Sequence, residues 1–266
     1  MNIISFIAQK GGTAKTTSAL NIGTALARQG FSVLFVDLDE QRNLTSTLTP
    51  SAGDQGTVLD VLQQKTDLQS AAIITPAGDL LQADPGIGSY DPDPEELADM
   101  LKAAAGKYDY CIIDNPTQVT TRTAASIYAA DYIVIPTNAD KFGIDAAMQL
   151  INTVDTIRAT TGHAGRVVGV LLTLYNGQTV LARQAREHLQ KATKEAGTAL
   201  FNTVIRNCNA VKEAIAAGED LYTYAPRSNG AADYRAATAE LLERMNEKPT
   251  AGRKGQRKHG KQYFTD

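Results

Sequence analysis

The stretch Gln9-Lys10-Gly11-Gly12-Thr13-Ala14-Lys15-Thr16-Thr17 lies between an apolar run, Ile3 to Ala8, and a segment whose apolar residues Leu20, Ile22, Ala25 and Leu26 recur with helical spacing up to Gly30. The order reads as a buried strand, a tight glycine turn and a helix. Such a turn aims several backbone N–H groups and the positive end of the helix at one point, which suits a phosphate. Lys15 then supplies a mobile cation, and the Thr16 hydroxyl a ligand for Mg²⁺. The strict phosphate-loop pattern, G-x-x-x-x-G-K-[ST], is broken by Gln9 and by Ala14, so the reading leans on the strand before the turn and the helix after it.

Working outward, Val33 to Val36 is a second apolar run, ending in Asp37 and Asp39. Strand, helix and strand with carboxylates at the last strand's C-terminal end form a nucleotide-binding βαβ unit. Tyr110 to Ile113, closed by Asp114, repeats the pattern of an apolar strand ending in an acid that can face a Mg²⁺ water shell. Asp131 to Pro136 and Val167 to Leu174 read as further strands, with helices near 57–63, 94–105, 144–158 and 179–196. Between Pro50 and Glu96 the periodicity weakens, and Asp84 to Pro94 reads as a proline-rich loop whose prolines at 85, 92 and 94 exclude a central strand within it. The expected fold is α/β, a P-loop NTPase with a mostly parallel twisted sheet, helices on both faces and Ile3 to Ala8 as the central strand.

Composition narrows the class. The 266 residues, 43% of them apolar, suffice for one core, taken here as a single domain over residues 1–248. Cys111 and Cys208 have no paired spacing, so neither a disulfide framework nor a zinc site is expected, and the three histidines are scattered. No apolar run reaches the length of a membrane span and no leader is evident, which points to a cytoplasmic protein without a membrane partner. Net charge is −3, yet residues 249–266 carry Arg253, Lys254, Arg257, Lys258 and Lys261 against Asp266, and read as a disordered basic tail.

Lys10, standing directly before the glycine pair, makes KGGTAKTT resemble the KGGxGKTT loop of the ParA/MinD ATPases. Val36-Asp37-Leu38-Asp39-Glu40-Gln41-Arg42-Asn43-Leu44-Thr45 is similar to that family's VDLDPQGNLT, with Glu40 and Arg42 in place of Pro and Gly. Asp114-Asn115-Pro116-Thr117 resembles DTPP; Leu172 to Tyr175, Val204 to Asn207 and Tyr224 to Tyr234 resemble LTMY, VIPRN and YxPxSxGAxDY, in the same order. The resemblance therefore runs from Ile3 to Leu242 and is closest to ParA-type DNA partition ATPases.

The resemblance implies ATP and Mg²⁺ as cofactors. It assigns Lys15 and the loop residues Gly11, Gly12, Thr13 and Ala14 to the β- and γ-phosphates, Thr17 to the α-phosphate, and Thr16, Asp37 and Asp114 to the metal. Asp39 would position the attacking water, and Arg206 and Asn207 would lie near the adenine. Lys10 would act across a face-to-face homodimer on the other subunit's phosphates. The dimer would bind DNA without sequence preference, become nucleoid-associated, and be released by hydrolysis that a ParB-like centromere-binding protein stimulates. Candidate DNA contacts are Arg183, Arg186, Lys191, Lys212 and Arg235. Alanine at position 14 costs on the order of 1 kcal/mol if positive φ is kept, with nucleotide binding expected roughly tenfold weaker than in Ala14→Gly.

Other readings stand beside this one. A MinD-like positioning ATPase would end in an amphipathic helix, but Gly252 to Gln262 has no apolar face. A redox iron protein of related fold would need paired cysteines. An ATP-binding switch or scaffold with little hydrolysis is suggested by Ala14, Glu40 and Arg42. Because the first apolar run begins at once, no N-terminal helix-turn-helix domain is expected.

Overall fold

In the computed structural model, residues 1–49 and 55–245 are described. The strands are β1 (Asn2–Phe6), β2 (Val33–Asp37), β3 (Ile73–Thr75), β4 (Gly78–Leu81), β5 (Tyr110–Asp114), β6 (Tyr132–Asn138) and β7 (Arg166–Thr173). They form one sheet in the order β3-β4-β2-β5-β1-β6-β7. Neighbours are parallel except for the β3–β4 hairpin at one edge. β5 is the middle strand; β1, expected at the centre, lies beside it, between β5 and β6.

Two cores follow from the period-two alternation of these strands. Ile3, Leu34, Val36, Cys111 and Ile113 point to one side, and Ile4, Phe6, Val33, Phe35 and Ile112 to the other. The first side is covered by α3 (Val58–Leu62), α4 (Leu68–Ala71), α5 (Pro94–Lys102), α6 (Thr121–Ala129), α7 (Lys141–Thr161) and α8 (Val180–Glu195). The second is covered by α1 (Lys15–Arg28), packed on α11 (Asn229–Arg244), with α9 (Asn209–Ala217) and α10 (Leu221–Tyr224) nearby. The short α2 (Asn43–Leu48) follows the loop after β2. Cys111 is a buried core residue, as its place in an apolar strand implies.

Beside α3, which matches the helix expected near 57–63, the weak stretch between 50 and 96 holds more order than its periodicity suggests: the β3–β4 hairpin and the one-turn α4. Strands of three and four residues are too brief to show a pattern, and α4 is one turn nucleated by Asp67, whose side chain accepts from Ser70 N. The proline segment itself is a 3₁₀ turn, Pro85–Ser89, and loop. The division into a domain and a basic tail from 249 falls outside the described residues.

Candidate functional site

All the parallel strands point their C-terminal ends at one rim, and the loop between β1 and α1 sits on it. Gly12 has φ +74, and Ala14, immediately before α1, has φ 55 and ψ 34. A Cβ built on Gly11 or Gly12 would meet no atom within 4 Å, so the loop faces open space. Its shape is pinned from β6 and β7: Asn138 Nδ2 donates to Gly12 O (3.2 Å), and the Thr173 hydroxyl donates to Thr13 O (2.9 Å). A cavity of about 320 Å³ opens above it, with Lys10, Lys15, Thr16, Thr17, Asp39 and Asn43 among its lining.

Beneath the cavity lies a buried charge cluster. Lys15 Nζ donates to Asp114 Oδ1 at 2.6 Å, and Thr16 Oγ1 donates to Asp114 Oδ2 at 2.7 Å. Asp37 is the register partner of Asp114 across the β2–β5 pair. Its carboxylate accepts from Thr45 N (2.9 Å), Thr45 Oγ1 (2.8 Å) and Asp39 N (3.1 Å). Burial, reinforced by the charge of Asp114, pushes Asp37 up to about 7. Burial also raises Asp114, against the opposing pull of Lys15. Two adjacent buried carboxylates sharing one ammonium are short of positive charge, and with the Thr16 hydroxyl they form an all-oxygen set that fits a hard divalent cation. Among the described residues no group of three or more His, Cys, Asp or Glu could hold a metal alone, so a cation here would also need oxygens from water or from a ligand. Asp39 is buried at the cavity wall, where its Oδ1 accepts from Gln41 N (3.0 Å).

Lys10 is handled differently from Lys15. Its Nζ pairs with Asp140 (2.7 Å to Oδ2), both side chains being partly exposed. Asp140 also caps α7 by accepting from Gly143 N at 2.8 Å. Pairing with Lys10 and the capping bonds outweigh burial and hold the Asp140 carboxyl below the usual range. One loop thus carries a lysine locked in the interior and a second held at the rim.

The two sequence departures from glycine, Ala14 and Arg42, both keep left-handed backbone, Arg42 at φ 57 and ψ 31. The loop has not shifted to accommodate the Ala14 methyl group. Because the strain exists without ligand, it cancels from binding and weighs on folding instead. Ala14→Gly is therefore expected to change nucleotide affinity by less than about twofold and to raise stability by up to about 1 kcal/mol, less the added unfolded-chain entropy. Paired urea and nucleotide titrations check this, and it replaces the tenfold affinity difference expected from sequence.

Several supporting residues carry no sequence signal. Arg122, buried on α6, donates to Glu40 Oε2 (2.8 Å) and to Leu38 O (3.3 Å), so the departure Glu40 ties the Asp37–Asp39 segment to α6. Thr45 stands in the Val36 to Thr45 motif without a role assigned to it, and Asp140 lies in no motif, although it follows a strand end, where acids collect in such folds.

The remaining candidates are more scattered. Arg206 and Asn207 are exposed and do not line the cavity; Asp233 engages Arg206 through its backbone N–H and its guanidinium (2.6 Å to Nη2). Arg183 and Arg186 donate to the carbonyls of Gly177 and Asn202, and Arg235 to that of Pro226. Lys191 pairs loosely with Glu195 at 3.9 Å, and Lys212 is exposed. These five lie on α8, α9 and α11, helices of both layers.

Comparison with known proteins bears on the family and the fold. A family model described as an AAA domain matches residues 1–164. The chain is 33% identical over 250 residues to the chromosome-partitioning ATPase Soj of Thermus thermophilus, covering 92% of this chain and 96% of that protein. It is 28% identical over 260 residues to the chromosome partitioning protein ParA of Caulobacter vibrioides, covering 93% and 96%. Among solved structures, an ATP complex of Cyanothece McdA, carrying a single substitution, matches with a TM-score of 0.82 at 23% identity, over 93% of this chain and 97% of that one. The septum site-determining protein MinD of Pyrococcus horikoshii, complexed with Mg-ADP, matches at 0.74 and 25% identity, over 90% and 95%. The chain, with its two-lysine phosphate loop on a mostly parallel P-loop sheet, belongs to the ParA/MinD family of ATPases.

Proposed function

We propose that the protein is a ParA-type partition ATPase whose ATP-bound homodimer binds DNA without sequence preference and lets go on hydrolysis. The observation that carries this reading is the different placement of two lysines five residues apart: Lys15 buried on Asp114, Lys10 held at an open rim by Asp140. A buried lysine serves its own nucleotide, whereas a lysine at the rim is free to serve a neighbour. Exposed apolar side chains on the same rim support a face-to-face partner: Phe142 follows β6, and Leu174, Val180 and Leu181 follow β7.

In this reading the loop amides and Lys15 bind the β- and γ-phosphates, and Thr17 the α-phosphate. Thr16, Asp37 and Asp114 hold Mg²⁺, which supplies positive charge against the triphosphate. Lys15 must leave Asp114 to reach the phosphates, which leaves that carboxylate for the metal. Asp39 orients the attacking water, and Lys10 exchanges Asp140 for the phosphates of the opposite subunit. A group delivered in trans makes dimerisation sensitive to the γ-phosphate and turnover slow until a ParB-like partner completes the site. The DNA-bearing surface draws on Arg183, Arg186, Lys191, Lys212 and Arg235, all of which keep contact with solvent. Nucleoid association in the cytoplasm follows from ATP-dependent DNA binding.

Lys10→Ala is the variant that tests the trans role. It should bind ATP within a fewfold of wild type and stay monomeric in sedimentation with a non-hydrolysable analogue, while wild type dimerises. A Lys10→Ala protein that still dimerises would remove the reason for assigning Lys10 to the partner's site.

A further inference from the structure

A second cavity, about 860 Å³, lies away from the phosphate loop, among α3, α4, α5 and the later parts of α6 and α7. Val61, Leu62, Leu68, Met100 and Ala103 give it an apolar floor, and Tyr128 adds a ring. Its rim carries Asp67, Asp93, Glu95, Glu96 and Asp99, and among the described residues no lysine or arginine lines it. Lys102 reaches Asp99 (2.9 Å) from outside, an exposed pair of the kind that contributes little. Val61, Leu62, Leu68 and Met100 are already only 5–9% exposed, so the floor has only a little apolar surface left to cover, with Ala103 and Tyr128, while the ring of carboxylates gains from cations. The fitting occupant is therefore a basic segment that also carries large apolar side chains.

The chain supplies one. Residues 246–266 hold Lys248, Arg253, Lys254, Arg257, Lys258 and Lys261 against Glu247 and Asp266, with Tyr263 and Phe264 close behind the last cation. The described structure ends in the other layer, but at the edge of the sheet where β7 begins. The carbonyl of Arg244, the last residue of α11, accepts from Arg166 Nη2 at 2.8 Å. Arg166 opens β7, and Thr161, five residues earlier at the end of α7, lines the groove. Five residues span at most about 18 Å, and the 21 residues beyond Met245 up to about 70 Å. Length is ample.

We propose that residues 246–266 dock in this groove in cis, with the cations on the acidic rim and Tyr263 and Phe264 on the apolar floor. Docked cations are withheld from DNA phosphates, so groove and DNA compete for one segment. This holds whether or not the phosphate loop turns over ATP.

The test uses the dilute full-length chain and a carbodiimide, which joins lysine amines to neighbouring carboxylates. Cross-links are expected within one chain between Lys254, Lys258 or Lys261 and Glu95, Glu96 or Asp99. Tryptic cleavage between Arg253 and Lys261 should be about tenfold slower than in the triple variant Glu95→Gln, Glu96→Gln, Asp99→Asn, because cleavage follows the undocked fraction. Those three side chains are exposed, so the fold should survive, as circular dichroism would verify. Tyr263→Ser with Phe264→Ser should also speed cleavage, and it leaves the sequence of the described residues unchanged. Three results would overturn the proposal: cross-links from the segment to other surfaces only, cross-links only between chains in an isotope-mixed sample, or equal cleavage in all variants.

Discussion

A Lys15→Ala protein is expected to lose ATP binding altogether, and roughly 3 kcal/mol of folding stability with it. Both losses come from one ion pair. Lys15 and Asp114 have side chains 4% and 0% exposed, and Nζ lies 2.6 Å from the carboxylate. Removing the ammonium leaves Asp114 beside Asp37 with only the Thr16 hydroxyl, an uncompensated buried charge. The two losses can be separated. Lys15→Met combined with Asp114→Asn removes both charges at similar volume, and should recover most of the stability while still failing to bind nucleotide. Urea unfolding with calorimetric nucleotide titration reads both quantities. A Lys15→Ala protein that binds ATP normally would mean the loop amides suffice for the phosphates.

Asp39→Ala carries the second large effect, on turnover rather than on binding. Its carboxylate lies at the cavity wall and is held through Gln41 N, so its removal should leave the fold and the phosphate loop intact. The expected result is ATP-dependent dimers that form normally but hydrolyse at least about a hundredfold more slowly, the scale of a lost proton-handling or water-orienting group. Single-turnover hydrolysis beside sedimentation separates the two steps. Unchanged turnover would shift the water-positioning role to another group and favour the reading of a nucleotide-binding switch.

Legibility differed by region, for physical reasons. The strands β1, β2, β5, β6 and β7 are buried on both faces and read as plain apolar runs, so the sheet and the carboxylates at its rim were visible in the sequence. The β3–β4 hairpin was not, because three- and four-residue strands are too short to show a period. Within the site, Lys15, Asp37 and Asp114 were legible from their spacing to strand ends. The Lys10–Asp140 and Glu40–Arg122 pairs were not, since each joins residues more than 80 positions apart through contacts that only the folded chain creates. The left-handed backbone at Ala14 and Arg42 was half legible. Glycine was the expected residue at both, but only the structure distinguishes a loop that keeps the strained backbone from one that moves. Arg206 illustrates the limit: the motif around it is plain and implies a place near the adenine, whereas the folded chain shows its guanidinium engaged by Asp233, a pairing the motif does not announce.

Nucleotide state is expected to govern DNA affinity, and the direct measurement is binding of duplex DNA to the full-length protein with a non-hydrolysable ATP analogue or with ADP, across a salt series. With the analogue, binding should be strong because pairing two subunits doubles whatever basic surface each presents, and unrelated sequences should bind alike because the contacts are to phosphates. Log affinity should then fall linearly with log salt, with a slope near −0.9 per phosphate neutralised. With ADP, binding should be weak. Equal binding in both nucleotides, or none in either at low salt, would contradict the partition function.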